Sequence, residues 1–229
     1  MFEIIGTPLT AFIFMLLCYF VGGIPFGLLV GRIKGVDLRL EGSKNIGATN
    51  AYRVLGKGWG ITVFLLDFLK GYTPLAFASY LFIEGGMVPK DLFLVLGGVG
   101  AVVGHNFSIF LKFKGGKGMA TSAGVLLAWV PISLLVCISL WIIITAVTRY
   151  VSLASIAASI VLPISTIIAY QGQWSFMGAS LILGAMSVWR HRVNIQRLRD
   201  GTEHRFGQKK KEPTKSTDLS ESERERVNE

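Results

Sequence analysis

Residues Gly104 to Thr121 read GHNFSIFLKFKGGKGMAT and join two long apolar runs. The first run, Leu92 to Leu111, gives way to Lys112, Phe113 and Lys114. Gly115-Gly116-Lys117-Gly118 follows, and a new apolar run begins at Met119. Three lysines and three glycines thus fall within seven residues between two segments that read as membrane helices. Glycines let backbone amides converge, and the next helix offers its positive N-terminal end. The lysines add compact charge. Such a loop suits an anionic head group, most simply a phosphate, at a membrane surface. It is not a nucleotide P-loop, because Gly118 and not Ser or Thr follows Lys117. Taken alone, it is equally a short inner loop whose lysines fix topology.

Outward from this loop the whole chain reads as a polytopic, all-α membrane protein. The 229 residues are 52% apolar, with mean hydropathy +0.55. Several uncharged runs approach the ~20 residues that span ~30 Å of hydrocarbon. The net charge of +9 does not point to nucleic acid, since the basic residues cluster at span ends, where they set topology and meet anionic head groups. Cys18 and Cys137 lie inside apolar runs, so neither a disulfide nor a metal site is expected. Met1-Phe2-Glu3 lacks a basic n-region, so no cleavable signal is expected.

Seven spans are predicted. The first, around Thr10 to Val21, is interrupted by Gly22-Gly23-Ile24-Pro25, where the helix must kink or unwind. Trp59 to Phe82 contains Asp67 and Lys70, three apart and so neighbours on one face. An ionisable pair inside a span is either functional or a neutralised structural pair. Leu92 to Leu111 carries His105 near its inner end. Met119 to Val147 is too long for one span, and Pro131 predicts a turn that makes two. Val151 to Tyr170 and Trp174 to Trp189 complete the set. With the N-terminus outside, 21 of the 23 basic residues fall on the inner side, as the positive-inside rule requires. Residues 1–206 form the membrane domain. Residues 207–229, with no apolar period, form a disordered charged tail on the cytoplasmic side.

Two further polar segments share that side. In Gly31 to Gly58, Ser43 or Asn45 is expected to cap a short helix from about Ile46 to Leu55, which places Thr49 and Arg53 on one face. Arg190 to Phe206 is expected to continue the last helix, with His191, Asn194 and Leu198 on one face until Gly201 ends it. Each of the three inner segments therefore brings groups suited to a phosphate.

GGIPFGLLVGR, EGSKNIGATNAYRVLG, DFLKG, GHNFSIFLKFKGGKGMAT and HRVNIQRLRDGTE, in this order over residues 5–206, resemble the bacterial acylphosphate:glycerol-3-phosphate acyltransferases of the PlsY type. The resemblance implies an inner-membrane enzyme that moves an acyl group from acyl phosphate to glycerol 3-phosphate. Its products are lysophosphatidate and phosphate, in the first step of phospholipid synthesis. It implies catalytic roles for Ser43, Arg53, His191 and Asn194. It implies phosphate binding by the glycine loop, Gly115, Gly116, Lys117 and Gly118, to which Asn45 and Lys112 are added as candidates. Glu203 is the structurally needed glutamate of the third motif, while Thr49, Asn50, Asp67, Lys70 and His105 are supporting candidates. No cofactor is implied; the partners are the two substrates and membrane lipid, with a functional link to an enzyme that makes acyl phosphate. Lys44 stands where the family pattern has glycine, and Ser108 where it has proline.

The chemistry suits these residues. Acyl phosphate is an activated mixed anhydride, so the site must chiefly hold two anions and orient a hydroxyl toward the carbonyl carbon. His191 either takes the hydroxyl proton or holds a substrate whose phosphate takes it. Ser43 is read as a hydrogen-bonding group, because its motif shows no paired base. Five positions after His105, His191 and His204 come Phe110, Gln196 and Lys209, so the His–Asp pair of thioester-dependent acyltransferases is missing. A rival reading, an anion transporter, would place its polar groups at mid-membrane. Here only Asp67 and Lys70 lie well inside a span, with His105 near the inner end of another.

Overall fold

The computed structural model describes residues 4–207, and the tail expected beyond Gly207 lies outside them. A two-residue strand β1 (Ile4–Ile5) pairs in parallel with β2 (Phe82–Ile83). The longer elements are helices: α1 (Pro8–Gly23), α2 (Phe26–Ile33), α3 (Ala48–Leu55), α4 (Lys57–Leu81), α5 (Lys90–Asn106), α6 (Met119–Trp129), α7 (Pro131–Thr148), α8 (Val151–Ala169), α9 (Trp174–Arg190) and α10 (Arg192–Arg199). Among the described residues, five segments are long and apolar enough to cross a membrane: Pro8–Ile33, Lys57–Leu81, Lys90–Leu111, Pro131–Thr148 and Val151–Ala169. α9 has 17 residues. α6 has only 11, or about 16 Å of rise. Pro131 does end one helix and start the next, as the excess length of that run demanded.

Close packing of α1 on α5 depends on small residues. Gly97, Gly100 and Gly104 recur on one face of α5, and a methyl group at Gly100 or Gly104 would strike the backbone carbonyls of Met15 or Tyr19. This approach sets the break between α1 and α2 against the end of α5. Pro25 leaves carbonyls without helical donors. Side chains supply them: Lys70 Nζ donates to Ile24 O at 2.7 Å, and Ser108 Oγ donates to Gly23 O at 2.6 Å. The irregular backbone is thus covered by protein, which is the condition for tolerating it at membrane depth.

Three local expectations are corrected. The helix of the first polar segment begins at Ala48, with Gly47 as its N-cap and no side-chain cap from Ser43 or Asn45. Asn50 dominates the loop instead. Its side-chain oxygen accepts from Ser43 N at 2.8 Å, and its amide donates to the carbonyls of Leu38, Glu41 and Asn45. Asn45 Oδ1 is taken by Gly47 N. The third span's helix stops at Asn106, and a short 3-10 turn at Ile109–Leu111 carries the chain onward. The last helix is also not continuous. It ends at Arg190, and His191 forms the joint to α10.

Candidate active site

α3, the glycine loop, the α9–α10 joint and the start of α8 converge around one cavity of about 430 Å³. Its polar end holds Ser43, Asn45, Thr49, Asn50, Arg53, Lys117, Ser152, His191, Asn194 and Glu203. Its apolar end is lined by Leu126, Leu134, Cys137, Ile138, Trp141, Ile142, Leu162 and Leu183. Thr49 and Arg53 share the cavity face of α3, as their spacing predicted.

A chain of hydrogen bonds crosses the polar end. Lys117 Nζ donates to Asn194 Oδ1 at 2.5 Å. Asn194 Nδ2 donates to Glu203 Oε1 at 2.8 Å, and Ser152 Oγ donates to the same oxygen at 2.8 Å. Glu203 therefore orients Asn194, and Asn194 orients Lys117. Burial pushes the Lys117 ammonium down to about 8; Glu203 opposes the shift, and Arg197, Arg53 and Arg190 add to it. Burial likewise lowers the Arg53 guanidinium from its usual value, against the attraction of Glu203.

His191 is buried, with Nδ1 2.8 Å from Ser187 O. A carbonyl accepts, so Nδ1 carries the proton and Nε2 keeps its lone pair. Burial first, and the Lys117 charge second, push this imidazole down to about 4. It is neutral at physiological pH.

A second cavity of about 200 Å³ adjoins the first and is lined by Ser43, Lys44, Asn45, Lys117, Arg190, Arg192, Val193, Asn194 and Arg197. Five of these nine are cationic. Ser43, Asn45, Lys117 and Asn194 border both cavities, so an apolar chamber and a basic one meet at these four side chains.

In the glycine loop, Lys117 and Gly118 line the large cavity, and two backbone amides bond within the protein. The amides of Gly115 and Gly116 donate to Asn106 O at 3.2 Å and His105 O at 3.1 Å, so they hold the loop and are not turned to a ligand. A helix leaves its first-turn amides without intrahelical partners, and Met119 and Ala120 of α6 line the large cavity beside Lys117 and Gly118. Gly118, at φ 78°, makes the turn into that helix. Gly116 is needed for closeness: a methyl group there would fall on the His105 ring. Lys112 is not brought to the site. It adopts φ 51° in the turn after Leu111 and is exposed.

Asp67, Lys70 and His105 form a buried group beneath the loop. Lys70 Nζ lies 2.7 Å from Asp67 Oδ1, and His105 Nδ1 lies 3.7 Å from that oxygen and 3.2 Å from Thr121 Oγ1. Asp67 and His105 reach the cavity wall. Sequence reasoning missed Ser152 and Arg190. Ser152 is one of several serines in an apolar run, though Ser152, Ser155 and Ser159 at i, i+3, i+7 trace the face that lines the cavity. Arg190 read as a span-end charge. Among the described residues no three His, Cys, Asp or Glu side chains gather as a metal centre would need.

A family model described as glycerol-3-phosphate acyltransferase matches residues 12–201. The chain belongs to that family. It is 45% identical to a glycerol-3-phosphate acyltransferase of Fusobacterium nucleatum over 85% of this chain and 97% of that protein. Identity to one from Aquifex aeolicus is 43%, covering 86% of this chain and 99% of the relative. Among solved structures it is similar to the glycerol 3-phosphate form of PlsY (YgiH), an integral membrane glycerol 3-phosphate acyltransferase. The TM-score is 0.78 at 43% identity, over 86% of this chain and 96% of that one. The lysophosphatidic acid form of the same enzyme gives a TM-score of 0.77. The family places this chain among multi-pass membrane acyltransferases of phospholipid synthesis, and that excludes the transporter reading.

Proposed function

We propose that this acyltransferase takes its acyl group from acyl phosphate, with the acyl chain in the apolar end of the large cavity and both phosphates at its basic end. The meeting of an apolar and a basic cavity at Ser43, Asn45, Lys117 and Asn194 carries this reading. Lys117, Arg53 and the first-turn amides of α6 hold phosphate charge. Ser43 orients a substrate by hydrogen bonding. The glycerol hydroxyl oxygen attacks the acyl carbon, the acyl C–O bond to phosphorus breaks, and phosphate leaves with the electron pair. The hydroxyl proton goes to a substrate phosphate and not to His191. Burial and the Lys117 charge disfavour a proton on His191, whereas a phosphate oxygen carries negative charge of its own. The weaker base serves better as a fixed acceptor, with Nε2 steering the hydroxyl. Ser152 and Glu203 hold Asn194, and the Asp67–Lys70–His105 group supports the loop from below.

α6 and α9 join the five long segments as membrane-depth helices, which makes seven, with the N-terminus outside and the site on the cytoplasmic face of the inner membrane. Residues 207–229 are a dispensable tail, and chains ending at Gly207 are expected to retain turnover. An enzyme making acyl phosphate would supply the donor. The donor test offers purified protein glycerol 3-phosphate with matched acyl chains as acyl phosphate, acyl-CoA or acyl carrier protein. Comparable kcat/KM on either thioester would sink the proposal. An acylated Ser43, found by mass spectrometry in kinetically competent amounts, would replace direct transfer by a two-step route.

A further inference from the structure

Arg190, the last residue of α9, grips the glycine loop by its backbone. Nη2 donates to Gly115 O at 2.7 Å and to Gly116 O at 2.7 Å, and Nε donates to Gly116 O at 3.0 Å. Its guanidinium carbon lies 5.4 Å from the Phe107 ring centre and 5.8 Å from that of Trp189, and these rings meet at 5.9 Å. The fork is therefore fixed on both its edge and its faces. The next loop residue is Lys117. Its amine meets Asn194, which follows Arg190 by four residues and stands one turn on. The α9–α10 joint thus holds the loop at two points, one on the backbone before Lys117 and one at the tip of its side chain.

We propose that Arg190 is a positioning residue, whose guanidinium fork fixes the Gly115–Gly116 carbonyls so that Lys117 is presented to substrate phosphate. The proposal rests on the reading that Lys117 holds phosphate. An ammonium is a point charge on a flexible stem and cannot serve two successive carbonyls with the same geometry. Charge alone is thus insufficient at this position. With Nε and Nη2 committed to the loop, Arg190 acts through the lysine.

The test is a double-mutant cycle on the purified full chain, with kcat and KM for glycerol 3-phosphate as readouts. Arg190→Ala is expected to raise KM about tenfold with a smaller fall in kcat, because ground-state phosphate binding is what the loop provides. Arg190→Lys is expected to fall within about threefold of the alanine variant, since the fork and not the charge is lost. In a Lys117→Ala background, Arg190→Ala is expected to change kcat/KM less than about twofold, as coupled residues do. Wild-type KM in Arg190→Lys would overturn the proposal, and this variant decides alone if the alanine protein does not accumulate. Fully multiplicative losses in the cycle would overturn it while leaving the phosphate reading of Lys117 intact. A Lys117→Ala enzyme with wild-type KM would overturn that reading and the Arg190 proposal with it.

Discussion

Lys117 reaches the site largely stripped of water, and its ammonium is held near 8. As pH rises through that value in the free enzyme, the charge that attracts phosphate is lost. kcat/KM for glycerol 3-phosphate is therefore expected to fall above about pH 8, since this ratio reports free-enzyme ionisations. Lys117→Arg, slower overall, should lack that alkaline limb because guanidinium stays charged. Lys44 shows a different constraint. It holds φ 61° beside Ser43, a left-handed conformation that costs a side-chain residue roughly 1–2 kcal/mol relative to glycine. Lys44→Gly should raise the melting temperature. It should also raise KM for glycerol 3-phosphate, because the lysine lines the basic cavity. An unchanged KM would show that the lysine tolerates its strain without touching substrate function. At this scale the sequence pointed to polar residues in polar loops, Ser43, Arg53, His191 and Asn194, and all four line the cavity. Ser152 was hidden because a serine in an apolar helix is unremarkable until Glu203, 51 residues on, is found against it.

The glycine loop shows how an element can be recognised while the bonds that hold it stay hidden. Lysines and glycines between two apolar runs made the loop legible. The pattern does not say which amides face the ligand, because that depends on where the end of α5 lies. The Asn106 and His105 carbonyls take the Gly115 and Gly116 amides, while helix geometry leaves the first-turn amides of α6 without intrahelical partners. Gly116→Ala should therefore act by displacing the loop from His105. KM for glycerol 3-phosphate should rise more than kcat falls, and a pure kcat loss would contradict the role given to this loop. The break after Gly23 teaches the same lesson. Pro25 announced it, but only packing reveals that Lys70 and Ser108 satisfy its carbonyls. Lys70→Met alone should lower stability by about 3–5 kcal/mol by leaving Asp67 buried without its cation. Pairing it with Asp67→Asn should recover much of that loss in thermal denaturation.

For the whole molecule, hydropathy alone pointed to a multi-pass helical membrane protein, which the long apolar helices and the family bear out; seven spans with an inner face are proposed from arginine and lysine placement. Cysteine labelling of intact cells, after replacing Cys18 and Cys137, should find a cysteine introduced at Ser216 inaccessible from outside. Labelling there would reverse the topology. What no periodicity could supply was the chamber, because its walls come from helices far apart in sequence. The shortness of α6 has a consequence for how this protein meets its reactants. Phe64, Ile138 and Ile142 line the cavity and are also exposed, so a chamber that opens sideways toward lipid is the expectation to test. If it does, the acyl donor and the finished product are expected to travel within the plane of the leaflet, with only the glycerol phosphate arriving from water. The effective dose of donor is its mole fraction among the surrounding amphiphiles, not its amount per litre. Adding inert detergent or lipid at constant total donor should slow turnover by surface dilution, while dependence on the water-borne substrate stays unchanged.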